Sequence, residues 1–292
     1  MSSEDKRIIL VTGASRGVGK GTALALADEN TIVYISGRSK TQGQTTELPG
    51  TLSQTQKEIQ ARGAKCVPVY CDHSDDDQIE ALIAQVIGQQ GRLDMLINNV
   101  YQVPDDLLEW KPFWQRPINQ HWQAMINVGL RAHYVAAYHA APHMVAAGSG
   151  TIVNISSPAA RTYIHSVIYG LGKAAKDKMM HDMGKELREH NIAAFALWPG
   201  IVKTERLQPA IEADALPKEY QPLMSGMESS EFTGRILNKI SNSGTAMNYT
   251  GRSWWNAQLA KELSVVDIDG SSPESYAPFM GEPGIPPLGM IK

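Results

Sequence analysis

The chain has only two cysteines in 292 residues, Cys66 and Cys71. They stand five positions apart in a segment that reads as a strand. At ~3.3 Å per residue their Cα atoms would lie roughly 16 Å apart, and a disulfide needs less than about 7 Å. No bridge is expected, which suits a reducing, cytoplasmic setting. A cationic excess is also missing: 27 Lys and Arg stand against 30 Asp and Glu, a formal net charge of −3. That excludes the electrostatic footprint of a nucleic-acid-binding protein. Without a polybasic run there is no attraction to an anionic membrane surface. No apolar run approaches the ~18 residues of a membrane span. Met1 to Arg7 is polar and leads straight into a strand, so no signal peptide is expected. No spacing marks a metal site. His139 and His143 are four apart, but Pro142 lies between them and no carboxylate is at hand.

What is present is a rhythm. Short Val- and Ile-rich runs occur at Arg7–Thr12, Thr31–Ser36, Lys65–Cys71, Leu93–Asn98, Thr151–Ser156 and Ile192–Leu197. They do not alternate apolar with polar, as strands covered on both faces need not. The stretches between them carry helical spacing, as in Ile79, Leu82, Ile83, Val86 and Ile87. Strand and helix in alternation imply an α/β fold: a doubly wound, Rossmann-like parallel sheet with helices on both faces. One domain over residues 1–270 is expected. Loops at 100–120 and 205–230 follow strands at their C-terminal ends, where such sheets bind ligands. Residues 271–292, rich in Pro, Gly and Ser, read as an extended surface tail.

Four features carry chemistry. The first is Thr12-Gly13-Ala14-Ser15-Arg16-Gly17-Val18-Gly19, directly after the first strand and opening a helix. Glycines let the backbone approach a pyrophosphate, and the helix N-terminus offers free N–H groups to it. A Walker A loop is excluded, because position 14 is alanine and position 21 is glycine. The second is the tip of the second strand, Ser36-Gly37-Arg38. An NAD site usually has a carboxylate there for the ribose 2′-hydroxyl. Here Arg38, with Arg16 in reach, suits a 2′-phosphate and therefore NADP over NAD. The third is Tyr169-Gly170-Leu171-Gly172-Lys173, which puts both side chains on one helical face. A lysine ammonium one turn away favours a phenolate and so equips a tyrosine for proton transfer. The fourth is Ile152-Val153-Asn154-Ile155-Ser156-Ser157, a strand ending in hydroxyls able to donate to a carbonyl oxygen.

Together, and in this order, these features resemble the short-chain dehydrogenase/reductase family over about residues 6–260. The match also runs through Asp72, Asn98-Asn99, Asn127 and Pro199-Gly200-Ile201-Val202-Lys203-Thr204. Within the family, Asn127-Val128-Gly129-Leu130-Arg131 and Leu197-Trp198-Pro199-Gly200-Ile201-Val202 look like one animal branch. The resemblance implies a single Rossmann domain with a sheet of about seven strands. It implies Tyr169 as general acid in reduction and base in oxidation. Lys173 would favour the phenolate and hold the nicotinamide ribose. Ser157 would orient the substrate carbonyl, although counting back from Tyr169 selects Ser156. Asn127 would anchor a water leading from Lys173 to solvent. Asp72 would meet the adenine amino group, and Asn98 and Asn99 would lie near the adenosine ribose. Pro199, Gly200, Val202 and Thr204 would form the nicotinamide loop, with Gly13, Ser15, Arg16, Gly17, Val18 and Gly19 around the phosphates.

This chain departs from the family pattern at Val100-Tyr101, where Ala-Gly is usual, and in a longer stretch between Asn99 and Asn127. The expected activity is hydride transfer between NADP(H) and a carbonyl or secondary alcohol. Tyr101, Trp110, Phe113, Trp114, Tyr163 and Trp198 suggest a bulky lipophilic small-molecule substrate. The alternative is a dinucleotide sensor without turnover, which would usually lack the tyrosine or lysine. A homodimer or homotetramer is expected, with Ala136, Ala137, Ala140 and Met179 on the contact faces.

Overall fold

The structure, a computed structural model, describes residues 6–215 and 223–284. Seven parallel strands form one sheet in the order β3-β2-β1-β4-β5-β6-β9. They are β1 (Arg7–Thr12), β2 (Thr31–Gly37), β3 (Lys65–Tyr70), β4 (Met95–Asn98), β5 (Gly150–Ile155), β6 (Ile192–Trp198) and β9 (Ser253–Trp255). The six predicted strands are all present, with ends shifted by at most two residues. The three-residue β9 left no apolar run long enough to read. A small separate ladder joins β7 (Val202–Lys203) to β8 (Glu228–Ser229).

Alternation within each strand divides the core into two layers, as the pleat requires. Ile9, Val11, Val33, Ile35, Ile97, Val153, Phe195 and Leu197 face one side. There they meet α1 (Gly17–Ala25), α2 (Leu52–Ala61), α8 (Phe232–Ser243) and α9 (Asn256–Leu263). Ile8, Leu10, Ile32, Tyr34, Leu96, Ile152, Ala194 and Ala196 face the other. There they meet α3 (Asp76–Gln90), α5 (Ala132–Ala147) and α6 (Val167–Glu186). Between α4 (Ile118–Trp122) and α5, residues Gln123–Arg131 continue the helix in wider π-type turns.

Local chemistry sets the helix starts. Thr51 caps α2 by accepting from Gln54 N–H at 3.1 Å. Asp75 caps α3 by accepting from Asp77 and Gln78 N–H, and Gly91 closes that helix in the left-handed conformation. Ser166 caps α6 by accepting from Tyr169 N–H at 3.3 Å, which fixes Tyr169 in the first turn.

Two expectations are corrected. Ala136, Ala137 and Ala140 are buried against the sheet, so they cannot form an intermolecular face; α5 exposes Tyr134 and Tyr138 instead. Small side chains here serve close packing of helix on sheet. The segment after Gly270 is also not merely draped on the surface. Tyr276 is buried, its ring sits edge-on to Trp255 at 6.3 Å, and its hydroxyl donates to Leu223 O at 2.6 Å. Trp255 Nε1 donates to Gly281 O, and Thr162 Oγ1 donates to Met280 O. Pro and Gly deny this segment a long helix, but its aromatic side chain still repays docking. Pro217 and Pro222 of the 205–230 region lie outside the described residues, as do residues 285–292.

Candidate active site

A cleft of about 710 Å³ opens above the C-terminal ends of β1, β2 and β4, where the winding direction reverses. Its floor is the glycine turn. Gly13 and Gly17 both have positive φ, at 68° and 56°. A Cβ on Gly13 would lie 2.7 Å from Val100 Cα, and one on Gly19 would lie 2.4 Å from Gly13 O. Asn99 Nδ2 ties the turn to β4 by donating to Thr12 O at 2.9 Å and Gly13 O at 3.1 Å. The Gly17 N–H, at the start of α1, already donates to an anion: the Glu205 carboxylate at 2.8 Å. A donor that takes a carboxylate oxygen fits a phosphate oxygen, so these residues suit a dinucleotide pyrophosphate.

At the tips of β2 and β3, Arg38, Ser39, Asp72, His73, Thr45, Thr46 and Glu47 line the cleft. Arg38 Nη1 stands 3.7 Å from Asp72 Oδ2. Burial opposes ionisation of Asp72, but the Ser74 N–H and hydroxyl and the Arg38 charge prevail and hold it below the usual carboxylate range. Arg16 is not a second free guanidinium at the same spot. It donates to Pro49 O, Gly50 O and Ser39 Oγ, tying the glycine turn to the 39–50 loop. Its partial burial lowers its pKa, against the pull of Glu205.

Beside Tyr101, which lines the cleft, Tyr169, Ser157 and Lys173 come together. Ser157 Oγ lies 3.4 Å from Tyr169 Oη. Ser156 turns away: its hydroxyl reaches Lys173 O at 3.3 Å and the Asp177 carboxyl. Burial pushes that carboxyl up to about 6, against hydrogen bonds from Ser156, Trp198 and Ser253. Of the two serines, Ser157 is therefore the one that faces the tyrosine. The Lys173 ammonium sits 5.4 Å from the Tyr169 ring centre and 5.2 Å from that of Tyr101. Asn127 lies in the π-type turns and donates to Gln123 Oε1 at 2.6 Å. Gly172 lets α6 approach them, since a Cβ there would meet Met125 O at 3.0 Å.

Other predicted positions fall elsewhere. Asn98 is fully buried and donates to His133 O, so it braces β4 against α5 while Asn99 faces the cleft. Trp198 is also fully buried, edge-on to Trp255 at 5.4 Å, and cannot wall a pocket. Trp110, Phe113, Trp114 and Tyr163 are largely exposed. Thr204 lines the cleft with Glu205 and Arg206, whereas Pro199, Gly200 and Val202 are not among the residues that line it.

Of three further residues near the site, the sequence marks Tyr101 alone, as a departure from the family pattern and a pocket aromatic; His165 and Arg116 carry no such signal. Tyr101 packs edge-on to Tyr169 at 6.2 Å, within an apolar cluster of Val103, Leu107, Met125 and Ile168. His165 lies 5.1 Å from the Tyr169 ring and has φ 61°, in a three-residue turn closed by Ser166 N–H donating to Ile164 O at 2.7 Å. Arg116, buried in the 100–120 loop, clamps that turn by donating to His165 O at 3.1 Å.

Next to Gly200, Glu228 is fully buried and accepts from Gly200 N–H at 2.8 Å and Asn256 Nδ2 at 2.9 Å. Burial pushes its carboxyl up to about 8 from an ordinary 4.5, aided by Asp267. The folded protein thus keeps a proton that the unfolded chain gives up as pH rises from 4.5 towards 8. Stability from this group should fall across that window and level off above it. Glu228→Gln, with Asn256 free to flip its amide, is expected to flatten the fall by a few degrees in Tm between pH 5 and 8. Parallel melting profiles for parent and variant would refute the assignment.

A glycine turn at the switch point of a seven-stranded parallel sheet, with a Ser/Tyr/Lys group beyond it, defines a dinucleotide-binding oxidoreductase of the Rossmann class. Residues 7–215 match the short chain dehydrogenase family, and the chain belongs to the short-chain dehydrogenase/reductase family. Human dehydrogenase/reductase SDR family member 1 is 37% identical over 278 residues, covering 92% of this chain and 86% of the relative. That places the chain in this branch. The 3-oxoacyl-[acyl-carrier-protein] reductase FabG of Thermotoga maritima is 29% identical over 249 residues, or 79% of this chain and 95% of that one. The crystal structure of a short chain dehydrogenase from Mycobacterium thermoresistibile superposes with a TM-score of 0.76 at 23% identity, over 93% and 94% of the two chains. At that identity the likeness speaks for the fold alone.

Proposed function

We propose that this protein is an NADP(H)-dependent oxidoreductase that interconverts a carbonyl and a secondary alcohol on a lipophilic small molecule. The observation that carries it is the convergence of Ser157 Oγ and Tyr169 Oη, 3.4 Å apart, beside the Lys173 ammonium. Two hydroxyls at that spacing can both reach one substrate oxygen. When bound, the nicotinamide supplies the hydride in reduction and receives it in oxidation. In reduction, Ser157 holds the carbonyl oxygen and Tyr169 gives it the phenolic proton as the carbon gains the hydride. Lys173 stabilises the phenolate left behind, and the Asn127 segment leads a replacement proton in from solvent. Oxidation reverses each step. Gly13, Ser15, Gly17, Val18 and Gly19 cradle the phosphates, and Thr204 closes over the nicotinamide side.

Support for a lipophilic substrate comes from the cluster of Tyr101, Val103, Leu107, Met125 and Ile168 around Tyr169. It does not come from the exposed tryptophans of the 100–120 loop. Support for NADP comes from Arg38 at the tip of β2, with no carboxylate on that tip. The reading places the enzyme in the cytoplasm as a homodimer or homotetramer. Titration with NADPH and NADH, followed by quenching of tryptophan fluorescence, tests the cofactor reading. NADPH should bind at least tenfold more tightly, and Arg38→Asp should abolish or reverse that preference. Tighter binding of NADH by the parent would refute it and leave the fold untouched.

A further inference from the structure

The α1 N-terminus has no cap of its own. Arg16, at the capping position, contributes no side-chain hydrogen bond, and the first turn holds no acidic residue. Its anion comes instead from 188 positions along the chain, as the Glu205 carboxylate on Gly17 N–H. Among the described residues, that N–H is the only hydrogen-bond donor to Glu205, and no Lys or Arg lies within 4 Å of its carboxylate, although the Arg16 charge attracts it from further off. The segment around it is tethered. Thr204 O accepts from Leu207 and Gln208 N–H at 2.9 and 2.8 Å, which starts the short helix α7 (Gln208–Glu212). Thr204 Cγ2 comes within 3.6 Å of where a Gly17 Cβ would be. Thus the chain lies directly over the phosphate-binding turn and aims a negative charge into it.

A helix N-terminus stabilises an anion, whether carboxylate or phosphate. One N–H cannot serve both fully, and a carboxylate left beside a pyrophosphate repels it. We propose that Glu205 is a counter-ligand of the dinucleotide: its carboxylate holds the pyrophosphate position in the free enzyme, swings off as the cofactor seats, and returns to Gly17 to hasten release of spent cofactor. Because Thr204 is the next residue, this exchange also moves the proposed nicotinamide contact. Glu205 then sets cofactor affinity and exchange without touching the transferred hydride or proton. The inference rests on the dinucleotide reading above and deepens it.

The test is cofactor binding to the full chain, with no substrate present. Glu205→Gln keeps the side-chain length and an oxygen for Gly17 N–H but removes the charge; Glu205→Ala removes both. Each is expected to tighten the NADPH Kd by about three- to tenfold and to slow dissociation, followed by stopped-flow fluorescence, by a similar factor. Adenosine 2′-monophosphate carries the 2′-phosphate but no pyrophosphate, so its affinity should change less than twofold. An NADPH Kd that is unchanged or weaker, in variants whose melting curves show them folded, overturns the proposal. So does equal tightening for adenosine 2′-monophosphate, which would mark a diffuse charge effect in place of displacement. Failure of the parent to bind either NADPH or NADH would instead overturn the functional reading, and this inference with it.

Discussion

Tyr169→Phe is expected to lower kcat by about 10²- to 10⁴-fold, the range over which one positioned proton donor contributes. The change removes a single oxygen. The phenyl ring keeps its edge contacts with Tyr101 at 6.2 Å and His165 at 5.1 Å, so the local packing survives. The NADPH Kd should stay within about threefold of the parent, because the change leaves the glycine turn untouched. Ser157→Ala is expected to cost less, since Tyr169 can still donate a proton to an oxygen held by one hydroxyl fewer. Steady-state rates with a panel of lipophilic ketones check both. Full turnover by Tyr169→Phe would rule out Tyr169 as the acid and reopen the reaction assignment.

The largest expected effect on stability comes from Gly21→Ala in α1. Helix propensity alone argues the opposite way, because alanine is better than glycine in a helix interior by about 1 kcal/mol. The structure decides the sign. A Cβ at Gly21 would stand 2.1 Å from both C and O of Ser230 and 2.7 Å from Glu231 N. These are main-chain atoms at the start of α8, and Glu231 is held in turn by Arg62 through two hydrogen bonds of 2.7 Å. Nothing there can rotate aside, so α1 and α8 must separate. Overpacking of this kind costs 1–3 kcal/mol and occasionally more, which exceeds the propensity gain. A drop in Tm of several degrees, or loss of soluble protein, is expected. Gly88→Ala in α3 is the matched control. A Cβ there meets nothing within 4 Å, so propensity should prevail and stabilise by about 0.5–1 kcal/mol. Equal effects from the two substitutions would show that the close approach of α1 to Ser230 is absent in solution.

Most of the architecture is legible in the sequence. Runs of Val and Ile too short for helices, separated by amphipathic stretches, admit few arrangements besides a parallel sheet covered on both faces. The glycine turn and the Tyr169/Lys173 spacing are local patterns: one depends on positive φ and the other on helical period, and both are properties of neighbouring residues. Tertiary structure decided what depends on distant contacts. Cleft-facing Asn99 and core-facing Asn98 differ only in which way a strand end points. Ser157 rather than Ser156 meets Tyr169 because Asp177 and the Lys173 carbonyl draw Ser156 inwards. Trp198, read as a pocket wall, is instead packed beneath a C-terminal segment that composition had placed on the surface. Glu205 on Gly17, Glu228 on Gly200 and Arg116 on the His165 turn each join residues dozens to nearly two hundred positions apart. Periodicity carries no trace of such pairs, because a hydrogen bond depends on where the folded chain brings two groups and not on their separation along it.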